Sequence, residues 1–151
     1  MVLAQALTAQ STTAKHTVGQ VFRDPSTGGE YTYVLASEAI TQYMACSYDS
    51  LFAALKLTKT NADKLYGVGI AMSDIASASY GWLLTGGNVL TKVSTINAPV
   101  AEVALYTSAT AGALDDCSTS QTKIPGIFCS PAGVCATAEN TAVFITRRLG
   151  V

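Results

Sequence analysis

A chain of 151 residues, 49% hydrophobic and only 13% charged, has the size of one compact domain and too much apolar surface to stay disordered. Its formal net charge of −1 excludes the dense basic stripe that neutralises nucleic-acid phosphates, and no apolar run reaches the length of a membrane-spanning helix. So little charge also predicts a surface partly covered by protein partners rather than by water.

The opening segment, MVLAQALTAQSTTAK, has neither the positive flank nor the long apolar core of a secretory signal, which predicts a protein made in the cytoplasm. Residues 1–16 show no strand alternation and are expected to form an extended or briefly helical arm. A single domain follows over 17–151. VGQVFR, DPSTGG and EYTYVLA read as strand, tight loop and strand, with Asp24-Pro25 and Gly28-Gly29 supplying the turn. In the second of these strands Tyr31, Tyr33 and Leu35 share one face and Glu30, Thr32 and Val34 the other.

Residues 37–46 fit a short helix capped by Ser37 or a loop with one helical turn. Leu51, Ala53, Leu55 and Leu57 alternate with Phe52, Ala54, Lys56 and Thr58, which predicts a strand with a helix as its close rival. Asn61-Ala62-Asp63 breaks the run. A strand over 66–72 and another entered by Tyr80-Gly81-Trp82 come next, and Gly86-Gly87-Asn88 predicts a hairpin into the alternation of Val89, Thr91 and Val93. Val103, Leu105 and Thr107 form a further strand, residues 114–136 read as irregular, and TAVFITRRL at 141–149 closes the chain. No internal repeat of solenoid length is legible. Roughly eight short strands predict an all-β fold, a small barrel or sandwich of antiparallel strands with an extended N-terminal arm.

The residues offer little catalytic chemistry. His16 is the only histidine and lies in the arm, so it reads as a solvated side chain rather than a general base. Asp115-Asp116 is the only adjacent acidic pair, and neighbours in an extended chain point to opposite faces; solvated loop charges are the favoured reading. Cys46, Cys117, Cys129 and Cys135 are too unevenly spaced for a zinc knuckle, and reduced thiols are the cytosolic default. Cys129 and Cys135 flank the turn-prone Ser130-Pro131-Ala132-Gly133, which makes a disulfide between them a possibility once the protein leaves the cell. Gly67 and Gly69 form a lone G-x-G without dinucleotide-site context and read as strand glycines. Trp82 begins an apolar strand and belongs to the core. Neither metal nor cofactor is expected.

Three segments taken in order carry a family resemblance. GQVFRDPSTGGEYTYVLASEAI resembles the opening of small decoration (cement) proteins of tailed-phage heads. YGVGIAMSDIASASYGWLLTGGNVLTKV is similar to their central signature, and ALYTSATAGALDD to their closing one; together the three span about two thirds of the chain. Two features depart from the pattern, the cysteine-bearing segment 117–135 and the length of the DPSTGG loop. The resemblance implies a non-enzymatic virion protein that binds the major capsid protein on the outside of an assembled head, often as a trimer. Candidate capsid contacts are then Val2, Leu3, Leu7 and His16 of the arm, together with the basic pair Arg147 and Arg148. A tail or fibre-base component and a small carbohydrate-binding β module are the alternatives, the latter requiring exposed aromatic residues such as Tyr31, Tyr33 or Trp82. A hydrolase using scattered carboxylates is the enzymatic alternative.

Overall fold

A computed structural model describes residues 7–64, 67–87, 89–96, 102–116, 121–129 and 140–145. Among these the chain is built of strands, with one four-residue helix. The strands are β1 (Val21–Arg23), β2 (Glu30–Ala36), β3 (Ala45–Tyr48), β4 (Ala53–Lys56), β5 (Gly67–Ala71), β6 (Tyr80–Gly86), β7 (Val89–Ser94), β8 (Ala104–Thr107), β9 (Leu114–Asp115), β10 (Lys123–Cys129) and β11 (Asn140–Ile145). Helix α1 (Lys59–Ala62) lies between β4 and β5.

Strands β2, β4, β3, β5 and β6 form a closed barrel, because β6 pairs back onto β2. Its pairings are antiparallel except for β2 with β4, which run parallel at Leu35–Ala53 and Ala36–Ala54. Strand β1 extends the same edge of β2 beyond β4. The remaining strands form a second sheet in the order β7-β11-β10-β8-β9. That sheet curls until its two edges meet at a bridge between Thr95 and Leu114.

Side-chain size explains how the two layers stack. One face of the five barrel strands contributes Val34, Ala36, Cys46, Ala54, Ala71 and Leu83, which pack together with Ile40 and Ile75. A five-stranded barrel encloses a narrow space, and small side chains fill it without voids. The opposite face carries the larger Tyr31, Tyr33, Ile70, Trp82 and Leu84, which pack against Val93, Leu105, Leu114, Ile124, Ile127, Val143 and Ile145 of the second sheet. Strands β2 and β6 are therefore buried on both faces, and their sequences run apolar where a half-exposed strand would alternate.

The barrel contains an internal two-fold relationship. Ile40 donates to the Ile75 carbonyl at 2.9 Å and Ile75 to the Ile40 carbonyl at 2.8 Å. Tyr43 donates to Ala71 and Ala71 to Met44; in the same way, Ala78 donates to Ala36 and Ala36 to Ser79. Met44 bonds Thr41 as Ser79 bonds Ala76. Even a side-chain bond is repeated, from Gln42 to the Met72 carbonyl and from Ser77 to the Ser37 carbonyl. Every partner is carried onto its counterpart by an offset of 35, since 75 − 40, 71 − 36, 78 − 43 and 79 − 44 are all equal. The strand registers follow the same rule: Ala45–Ile70 and Cys46–Gly69 between β3 and β5 match Tyr80–Leu35 and Gly81–Val34 between β6 and β2. The segments 37–44 and 72–79 thus cross each other, and each half of the barrel lends its strands to the other.

Several local expectations change. Gly86-Gly87 does not turn a hairpin, because β6 and β7 belong to different sheets; Gly87, at φ 103°, backs onto the Gly28 carbonyl, where a Cβ would collide. Residues 114–129 are not irregular throughout but contain β9 and β10. Strand β10 accommodates Pro125 and Gly126 (φ 82°) where its register with β8 shifts, between Lys123 and Phe128. A bulge is where a missing N–H and a positive φ are tolerated. The strand expected over 51–58 shortens to β4, and Asn61 starts rather than breaks structure. Its side chain accepts from the Thr58 N–H while Thr58 Oγ1 accepts from the Asn61 N–H, a reciprocal cap on α1.

Candidate interaction surface

The chain before β1 lies on the barrel. Ser11 and Tyr80 exchange backbone hydrogen bonds at 3.0 and 2.8 Å, forming a one-residue antiparallel bridge to the start of β6. Gln10 Oε1 accepts from the Ala76 N–H at 2.7 Å, and the Lys15 N–H donates to the Tyr33 hydroxyl at 3.2 Å. Leu7 enters the main core and is only 7% exposed. His16 stays exposed, yet its ring lies 5.1 Å from Tyr33 and 5.2 Å from Trp82, centre to centre. The Trp82 indole is thereby enclosed by Tyr33, Phe22 and His16.

Of the residues singled out from the sequence, Leu7 lies in the main core and His16 lies against Tyr33 and Trp82. Leu7 is buried within its own chain, so the described part of the arm is docked rather than free. Val2, Leu3, Arg147 and Arg148 lie outside the described residues. Tyr31, Tyr33 and Trp82 are 5%, 2% and 4% exposed, so they present no aromatic platform to a sugar ring. Burial accordingly raises the Tyr31 phenol above its ordinary value.

The outward apolar chemistry sits elsewhere. Val21, Leu51, Leu55 and Ile96 are the exposed large apolar residues among those described, and Leu51 is the extreme at 79%. Leu51 occupies the turn between β3 and β4. Asp49 Oδ1 fixes this turn by accepting from the N–H groups of Leu51 and Ala53, at 2.9 and 3.0 Å. Phe52, at φ 58°, folds back to stack on Tyr48 and cover Gly19. The turn therefore has a determined shape that holds a leucine out in water. Sequence alternation placed Leu51 inside a strand; the signal that was available is Asp49 followed by Ser50, a pair that favours an Asx turn.

A cavity of about 340 Å³ is lined by Thr32, Val68 and Thr85 of the barrel, Phe52, and Ile124 and Pro125 of β10. Glu30, Tyr48 and Lys123 also line it, and the Thr32 and Thr85 hydroxyls bond each other at 2.9 Å. Cys46 is free and buried, and desolvation pushes its thiol well above the usual range, so it is unreactive in the folded protein. Cys129 is disulfide-bonded; its expected partner, Cys135, lies outside the described residues. Among the described residues no group of three or more His, Cys, Asp or Glu is placed to hold a metal ion.

No protein-family model, no curated protein and no solved structure matches this chain.

Proposed function

We propose that this protein is a structural component of a tailed-phage head, made in the host cytoplasm, which binds the outside of the assembled capsid and bridges neighbouring shell subunits. It acts by binding rather than by turnover, as a trimer at local three-fold positions. The observation that carries the reading is Leu51, 79% exposed on a turn that Asp49 holds rigid. A large apolar side chain kept in water on a fixed support fits an anchor for a protein partner, since a pre-organised anchor loses little entropy on docking. The low charge and the order of the three resembling segments support the same assignment. A protein that binds the expanded shell and not its free subunits stabilises that shell by mass action.

The carbohydrate-binding alternative is less favoured, because Tyr31, Tyr33 and Trp82 are buried. The test is direct. Purified particles are analysed by mass spectrometry and cryo-microscopy, and naked heads are incubated with the wild-type chain and with Leu51→Asp. Density on the outer shell, and at least tenfold weaker binding by the variant, are expected. Absence from intact particles, or equal binding by a folded Leu51→Asp chain, overturns the proposal.

A further inference from the structure

The two ends of the barrel differ. Strands β2 and β5 run into the crossing segments and β3 and β6 leave them, so Ile40 and Ile75 plug that end. Toward the opposite end the inward positions, two residues apart along each strand, change character. Val34 gives way to Thr32, Leu83 to Thr85, and Ala71 to Gly69 and Gly67, while Cys46 and Ala54 give way to Tyr48 and Phe52. All six of these residues line the cavity of about 340 Å³. The cavity is thus the mouth of the barrel, a recurrent place for ligands, and its size lies within the range of small-molecule sites, about 300–1,000 Å³. Tyr48 and Phe52 stack with ring centres 5.8 Å apart. The Tyr48 ring is held on the wall against Gly67, where a Cβ would strike it. Strand β10 reaches the cavity at its bulge, through Lys123, Ile124 and Pro125, and bulges commonly re-aim side chains beside binding sites.

The polar groups of the lining are unequally satisfied. The Thr85 hydroxyl donates to the Glu30 carbonyl at 3.3 Å, so Thr32 donates to Thr85 and the pair keeps no proton for a ligand. The Glu30 carboxylate is opposed by Arg23 at 2.8 Å. Lys123 forms no ion pair with a described residue. The charge left unmet along the lining is therefore positive. We propose that the barrel mouth binds a small amphiphilic carboxylate, with its apolar body against Tyr48, Phe52 and Ile124 and its anionic group paired with Lys123. A neutral apolar molecule leaves the ammonium without a partner, and a cationic one is repelled by it. This inference is independent of the capsid assignment.

The test uses the purified full-length protein, titrated with decanoate in a calorimeter, with decyltrimethylammonium as the cation of matching chain length. Saturable binding of one decanoate per chain is expected, at least tenfold tighter than that of the cation. Decanoate is also expected to shift the amide resonances of Thr85 and Ile124, a readout that needs no substitution. Lys123 is exposed, so Lys123→Glu reverses its charge without disturbing the core, and it is expected to weaken decanoate binding at least tenfold. If that variant fails to fold, Lys123→Gln takes its place. Ala62→Phe, which fills the cavity from α1, is expected to weaken decanoate binding as well. The absence of saturable binding to wild type, or resonance shifts confined to other parts of the chain, overturns the site. Equal decanoate affinity in a folded Lys123 variant, or tighter binding of the cation by wild type, overturns the carboxylate as its ligand.

Discussion

Ile40 and Ile75 each donate a backbone hydrogen bond to the other, at 2.9 and 2.8 Å, and both side chains are sealed into the barrel interior. They stand at corresponding points of two crossing segments, so their replacement by alanine opens similar cavities. Each substitution is expected to cost about 2–5 kcal/mol, with the two values close to each other. Urea unfolding monitored by Trp82 fluorescence checks both the magnitude and the equality; a large disparity counts against the two-fold equivalence.

Gly87 and Gly28 separate two effects of adding a methyl group. Both have positive φ, but a Cβ on Gly28 meets open space while one on Gly87 meets the Gly28 carbonyl. Gly28→Ala is expected to cost about 1 kcal/mol, the left-handed strain alone. Gly87→Ala adds backbone displacement and is expected to cost about 3 kcal/mol. Thermal melts of the two variants give the comparison.

Asp24 shapes the β1–β2 loop. Its carboxylate accepts from the Ser26 hydroxyl at 2.7 Å, the Ser26 N–H at 2.9 Å and the Thr27 hydroxyl at 2.9 Å, and these bonds hold its pKa below the ordinary 3.8. A depressed folded pKa means that the carboxylate adds stability above the ordinary value and loses it as pH falls through the lower, folded one. Wild type is expected to be more stable than Asp24→Asn near neutral pH. That margin should shrink below 3.8, as urea midpoints taken between pH 7 and pH 2 will show.

Cys46 and Cys129 differ in what blocks them. Alkylation of native protein is expected to spare both. Denaturant without reductant should expose Cys46 to labelling, whereas the peptide containing Cys129 should be labelled only after reduction. Peptide mapping by mass spectrometry reads both outcomes.

Leu7→Ala tests whether the docked arm contributes to stability. A buried leucine cut to alanine is expected to cost about 2 kcal/mol or more. The equivalent change at Leu51, exposed as it is, should stay within about 0.5 kcal/mol. Parallel denaturant titrations of the two variants decide the contrast.

The parts of this fold that are legible in the sequence are those where local chemistry is sufficient. Strand β2 is legible residue for residue because Gly28-Gly29 stops the loop and two side-chain sets then alternate. Trp82 reads as core for the same kind of reason. Strand β3, ACSY, is not legible because its small residues carry no alternation, and its inward Cys46 suits the narrow barrel. Strand β10 was masked by Pro125 and Gly126, which only a bulge reconciles with a ladder. The two-fold pattern is written almost wholly in backbone hydrogen bonds. Between residues 32–48 and 67–83 only Ala36/Ala71 and Ile40/Ile75 are identical, too few to register as a repeat. Leu51 reads as a strand residue because its alternation with the residues that follow continues straight through the Asx turn.

Exchanged strands also set a timetable for synthesis. Leu35 of β2 pairs with Tyr80 of β6, 80 − 35 = 45 residues later. At a translation rate of about 5–20 residues per second, β2 waits roughly 2–9 s after leaving the ribosome before its partner emerges. Throughout that interval the nascent chain carries a seven-residue strand with apolar side chains on both faces and an unpaired edge. Aggregation between nascent chains is the hazard peculiar to this design, and it rises with the density of ribosomes on the message.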